Sequence, residues 1–203
     1  GWIDPSSLVD DGMDEHDLNL CPNVRSYSMV MNAWSNAAAV EIGSGESAAL
    51  HCEAILAKME ERGADDASIR PNIFAYTTCI SAWANTKDVE HAASRAEGIL
   101  NRLLDTHYAD SQSDLPSFEG VDDDAGHAAP FNSVITAYAR SSDPSSTDRA
   151  LGILDRLDAY SIPPTLTSYN AALDACARHG DPDRGQAVLE RMRKKGFEPD
   201  STS

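Results

Sequence analysis

Apolar positions recur along this chain at helical spacing, and they do so in the same order four times. The stretches VRSYSMVMNAWSN from Val24, IFAYTTCISAWAN from Ile73, AAPFNSVITAYAR from Ala128 and LTSYNAALDACAR from Leu166 align without a gap. An aromatic ring recurs at Tyr27, Tyr76, Phe131 and Tyr169, an aliphatic residue at Met31, Ile80, Ile135 and Leu173, and alanine at Ala33, Ala82, Ala137 and Ala175. That spacing places one apolar stripe along a helix. Each stretch is followed by a second matched one: CEAILAKM from Cys52, AEGILNRL from Ala96, ALGILDRL from Ala150 and GQAVLERM from Gly185. Its apolar pair (Ile55-Leu56, Ile99-Leu100, Ile153-Leu154, Val188-Leu189) and a later Met or Leu predict a second amphipathic helix facing the first. Lys58, Arg102, Arg156 and Arg191 share one polar position, read as a solvated outer face. Trp34, Trp83 and Tyr138, inside the first helices, read as packing residues.

Gly63 and Gly196 are placed to stop second helices, and Pro71-Asn72, Pro164-Thr165 and Pro199-Asp200 to turn into the next unit. The repeating unit is a helical hairpin. The start positions 24, 73, 128 and 166 make the units 49, 55 and 38 residues long, while 166 to 200 is 35. The surplus falls between helices, where insertions leave a stack intact because each hairpin touches only its neighbours. The expected architecture is all-α, a right-handed α-solenoid of helical hairpins. Its divisions are an acidic leader 1–23, disordered or the end of a preceding repeat; repeat 1 over 24–72; repeat 2 over 73–127 with an acidic loop 106–127; repeat 3 over 128–165; repeat 4 over 166–200; and 201–203 as the start of a truncated next unit. The first residue is not Met and the last three open a new unit, so the chain reads as a fragment without a visible targeting segment.

Charge narrows the range of partners. The chain carries 33 acidic against 16 basic residues, a net charge of −17. Thirteen of the acids lie in residues 1–23 and 105–124, which contain no Lys or Arg. The rest is only mildly acidic, so a local groove for an anionic ligand remains compatible with the total. No apolar run approaches the roughly 20 residues of a membrane span, and the mean hydropathy is −0.39. Cys21, Cys52, Cys79 and Cys176 form no Cys-x-x-Cys pair, which argues against a zinc ribbon or a dense disulfide framework. Asp122-Asp123-Asp124 lacks the spacing of a calcium loop. There is no Gly-rich phosphate loop and no nucleophile in a recognisable setting, so neither catalysis nor a cofactor is expected. The six histidines read as surface residues.

A hairpin of 35 residues with Ser168-Tyr169-Asn170 at its start and Met192-Arg193-Lys194-Lys195-Gly196-Phe197-Glu198-Pro199-Asp200 at its end resembles the pentatricopeptide repeat family. The resemblance extends over residues 24 to 200 in four repeats. It implies sequence-specific binding of single-stranded RNA, with the residue after the first-helix ring and the last residue of the repeat contacting one base. The implied pairs are Ser28 with Asn72, Thr77 with a closing residue near His127, Asn132 with Thr165, and Asn170 with Asp200. They would read A, a purine, a pyrimidine and U from 5′ to 3′. Val24, Ile73 and Leu166, ahead of the rings, would sandwich bases; Arg140 and Arg178, after the first helices, would meet phosphates. The family also implies a mitochondrial or plastid setting and a part in RNA processing, stability or translation. The other reading is a protein-interaction scaffold whose negative groove holds a basic peptide or partner. A small polar residue after every ring (Ser28, Thr77, Asn132, Asn170) favours RNA, since peptide binding would not require it.

Overall fold

A computed structural model describes residues 22–40, 45–87, 89–107 and 124–197. Within them the backbone forms eight α-helices and no strand: α1 (Val24–Val40), α2 (Glu46–Gly63), α3 (Ile73–Ala84), α4 (Ala92–His107), α5 (Asp124–Arg140), α6 (Ser146–Ala159), α7 (Leu166–Arg178) and α8 (Pro182–Lys194). Residues 1–21 of the acidic leader with Cys21, residues 108–123 of the acidic loop with Asp122-Asp123, and residues 198–203 with Asp200 and the start of the next unit lie outside the described residues.

Local chemistry sets the helix starts. Asn23 Oδ1 accepts the amides of Arg25 and Ser26, each at 3.1 Å, and Asn72 Oδ1 accepts that of Ala75 at 3.0 Å. Thr165 forms a reciprocal capping box with Ser168. The Asn or Thr after each of these prolines therefore satisfies amides that the next helix leaves without an internal partner. At the far ends, the amides of Ile162, Asp181 and Phe197 reach back five residues to the carbonyls of Leu157, Cys176 and Met192. The residues just before them, Ser161, Gly180 and Gly196, take positive φ of 56°, 67° and 87°. Gly63 works differently from Gly196. It is the buried last residue of α2, and a β-carbon there would stand 2.7 Å from Arg70 Cα, so its role is a close backbone approach rather than a left-handed stop.

Two helices extend into the expected loop 106–127: α4 runs to His107 and α5 begins at Asp124. Pro130 thus falls inside α5, at the aligned place of Ser26 in the first turn of α1. Ser26 stands in the first turn of its helix, where an amide has no helical partner, but Pro130 is the seventh residue of α5 and leaves out one internal backbone bond where the added turn joins the repeat. His127, expected at the surface, is carried by this extra turn into the interior at 7% exposure.

Contacts run only between neighbours. Each first helix packs on its own second helix and on the next first helix, and each second helix also touches the first helix of the following pair. Ala82, Ala137 and Ala175, buried on the first helices, let these approach closely. Tyr76, Trp83, Phe131, Tyr138 and Tyr169 are fully buried, so the rings inside the first helices are core, while Trp34 stacks on His51 with centroids 4.3 Å apart. Burial pushes the Cys52 thiol up to about 12 and Cys79 well above its usual value, leaving both as unreactive packing groups.

The second helices do not touch through their backbones, yet long side chains join them. Arg102 pairs with Glu60, Arg156 with Glu97 at 3.5 Å, and Arg191 with Asp155 and Asp158 at 2.5 and 2.8 Å. Arg95, Arg149 and Arg184, which share another position, reach back to Glu53, Glu97 and Asp148 at 3.2, 3.6 and 2.6 Å. The shared basic position is therefore an inter-repeat tie, not merely a solvated face. Rings of the following first helix complete the junctions: Tyr76 Oη donates to Glu60 at 2.9 Å, Trp83 Nε1 to Glu53 at 3.1 Å, and Tyr138 Oη to Glu97. Burial and the neighbouring Glu97 carboxylate raise the Tyr138 phenol above its ordinary pKa.

Candidate nucleic-acid interface

The residues singled out in the sequence occupy the two ends of the first helices. At the N-terminal end of α1, Val24, Ser28 and Asn72 line one cleft of about 320 Å³, together with Arg25, Met29 and Phe74. Ser28 is 6% exposed and its hydroxyl has no hydrogen-bond partner among the described residues. Because Asn72 spends its carbonyl oxygen on the α3 cap, its NH₂ is the group left to donate into the cleft. An orphan hydroxyl, an amide donor and an exposed ring thus converge on one opening.

The third pair also meets. Asn132 Nδ2 lies 3.5 Å from Thr165 Oγ1, and Asn132 Oδ1 is buried without a partner among the described residues. Thr165 Oγ1 is held by the capping box, so Asn132 supplies the acceptor of this pair. Thr77 is half-buried and its hydroxyl donates to the Ile73 carbonyl at 2.7 Å, turned back along its own helix. The closing partner expected near His127 takes no position like that of Asn72 or Thr165, because this stretch is helical. Asn170 is half-buried at the start of α7, and its partner Asp200 lies outside the described residues.

One predicted base-contacting residue is displaced by the fold. Ile73 is 4% exposed and belongs to the core, so it is not placed to sandwich a base. Its neighbour Phe74 is 54% exposed and borders the cleft. One residue is about 100° of helix rotation, enough to exchange the core for the groove. The aligned positions are Arg25, Ala129 and Thr167, a series without shared chemistry that recurrence alone does not single out. Val24 is half-buried and Leu166 is 37% exposed, so both keep an accessible edge.

At the C-terminal ends of the same helices the cations gather. Lys87, Arg140 and Arg178 line a second cleft of about 530 Å³ with Asn85. Arg140 donates to the Ala84 carbonyl at 2.9 Å, closing the end of α3 from the next hairpin. Arg178 holds both oxygens of Asp174, at 2.9 and 2.8 Å. Both predicted phosphate ligands therefore already have protein partners. Lys87, two residues beyond the uncharged Asn85, adds a cation that the aligned positions miss. The base-sized cleft and the cationic one lie at opposite ends of α3, whose 12 residues rise about 18 Å.

Among the described residues no group of three potential ligands is arranged to hold a metal, and no helix is long and apolar enough to cross a membrane. A family model described as a PPR repeat matches residues 167–197, which take in α7 and α8. No curated protein matches the chain.

Proposed function

We propose, from a chain that carries a PPR repeat at residues 167–197, that its four hairpins form a right-handed α-solenoid binding single-stranded RNA, one base per repeat. PPR repeats are generally RNA-binding, and the observation that extends this to the rest of the chain is the cleft shared by Val24, Ser28 and Asn72. Of these, Ser28 and Asn72 were expected to contact one base, and Val24 to sandwich bases. A flat base entering there meets the Phe74 ring on its face and the Ser28 hydroxyl and Asn72 amide on its edge. Duplex RNA keeps those edges paired, so the arrangement selects single strands. In the third unit Asn132 offers an acceptor, which suits the exocyclic amine of cytosine or of adenine.

The cations Lys87, Arg140 and Arg178 give the backbone an electrostatic foothold, reduced by the partners that Arg140 and Arg178 already have. The setting we infer is an organelle, mitochondrion or plastid, with a part in RNA processing, stability or translation; the role is binding, without a catalytic step. A second reading rests on the net charge of −17, which suits a scaffold holding a basic peptide.

The test is fluorescence anisotropy of the chain with short single-stranded RNA pools, duplex RNA and a basic peptide at two salt concentrations. Preference for single strands, with the base choice at one position altered by Asn170→Ala or Asp200→Asn, supports the reading. Binding of the peptide alone would replace it with the scaffold, and unchanged base preference in both variants would remove the pairing of Asn170 with Asp200.

A further inference from the structure

Asn72 and Thr165, the residues that close the first and third hairpins, stand outside the helices they precede. Each caps the next helix in an extended conformation, with φ and ψ of −105° and 174° at Asn72 and −99° and 170° at Thr165. From there Asn72 lines the cleft of Ser28, and Thr165 Oγ1 lies 3.5 Å from Asn132 Nδ2. At the second hairpin the same place falls on His127, one residue before Ala128. There α5 has already begun, at Asp124, so His127 belongs to the helix and its direction is set by helical rotation. At about 100° per residue, four residues bring His127 within about 40° of Phe131, whereas five leave it about 140° from Asn132. His127 and Phe131 are both buried, at 7% and 0% exposure. Tyr76, the ring aligned with Phe131, reaches Glu60 on α2, so this face looks toward the second helices and not toward the clefts. The added turn therefore carries the closing side chain of the second unit away from Thr77, the residue it would join.

The hydroxyls of α3 are engaged as well. Thr77 donates to the Ile73 carbonyl at 2.7 Å and Thr78 to that of Phe74 at 2.8 Å, while Ser81 shares a hydrogen bond with Ser133 at 3.1 Å. Ser28, aligned with Thr77, has a hydroxyl with no such partner among the described residues. What the second unit offers a base is a face rather than an edge. Phe74, 54% exposed, stands three residues before Thr77 and on the same side of α3. Stacking on a ring tolerates all four bases, because each has a π-face.

Given the RNA reading above, on which this step rests, we infer that the second hairpin holds a base without selecting it. The ligand is then single-stranded RNA with a selected base, an unselected one and a selected one in succession. The first and third units supply the choice, through Ser28 with Asn72 and Asn132 with Thr165, and the second sets the spacing between them.

The experiment is selection by the full chain from a randomised single-stranded RNA pool, with the retained sequences counted by sequencing. We expect a motif in which one position, even among the four bases to within about threefold, lies between two positions enriched about fivefold or more. Ser28→Ala should flatten the position on one side of the gap and Asn132→Ala the position on the other, in chains that circular dichroism shows to be as helical as the parent. Thr77→Val should leave the motif unchanged. A chosen base at the middle position, a change there in Thr77→Val, unchanged selection in both alanine variants, or Ser28 and Asn132 positions that are adjacent would each overturn the inference and leave RNA binding standing. Retention of no single-stranded RNA would overturn the RNA reading itself, and this inference with it.

Discussion

Phe74 and Ile73 are adjacent, both apolar, and placed by the fold in opposite environments, which makes them a sharp pair for testing how the groove works. Phe74 is 54% exposed at the cleft that holds Ser28 and Asn72. Truncating a half-exposed ring forfeits little burial, so Phe74→Ala should unfold within about 0.5 kcal/mol of the unaltered chain. If a base stacks on the ring, the same change removes about 1–3 kcal/mol of binding. At about 1.4 kcal/mol per tenfold, affinity for single-stranded RNA should fall by roughly 5- to 150-fold. Phe74→Trp, which keeps a stacking face, should bind at least as well as the parent. Ile73→Ala has the opposite profile. Ile73 is 4% exposed in the core, so its truncation should cost about 2–5 kcal/mol of stability. Below its lowered melting point, its RNA affinity should stay within about threefold of the parent, because no contact with the ligand is lost. The assays are urea denaturation followed by circular dichroism and anisotropy titration with labelled RNA at fixed salt. Unchanged RNA affinity in Phe74→Ala, or a loss at Ile73 equal to that at Phe74 in folded protein, would refute the assignment of Phe74 to the groove.

Three other outcomes follow from the junctions and helices. Glu97→Ala leaves the buried Tyr138 hydroxyl without its acceptor and releases Arg149 and Arg156; we expect a loss of about 1–3 kcal/mol, partly recovered when Tyr138→Phe is added, measured by denaturation of the four chains of the cycle. Hydrogen bonding from Arg191 and then Lys195 holds the Asp158 carboxyl below its ordinary pKa, so its contribution is present above the unfolded value of about 4 and is lost as pH falls through the lower folded one; acid unfolding of Asp158→Asn should show a shallower dependence there. Gly98→Ala, in mid-helix with nothing within 4 Å of the added carbon, should raise stability by about 0.5–1 kcal/mol, read as a higher urea midpoint.

The repeated helical pattern was legible in the residues because stacked hairpins make the same contacts four times. Ring, aliphatic residue and alanine recur wherever a first helix meets its neighbours, and Asn72 and Thr165 cap helices by interactions three residues long. Such contacts are local or between adjacent units, so the linear sequence carries them. That Ser28 and Asn72 line one cleft has the same local origin, since the last residue of the first unit is the cap of the next helix.

Tertiary structure decided what depends on the rotation of a helix and the reach of a side chain. It set Phe74 at the edge of a cleft and Ile73 in the core, since adjacent helical residues differ by about 100° in direction. It turned Arg102, Arg156 and Arg191 from a solvated face into ties between second helices, because those helices stand a side-chain length apart with carboxylates opposite. Arg140 became a cap on α3 and His127 a buried residue, the first because the stack brings α3 and α5 side by side and the second because α5 starts a turn early. Periodicity specifies which face of a helix is apolar; only the neighbouring helix fixes which atoms that face meets.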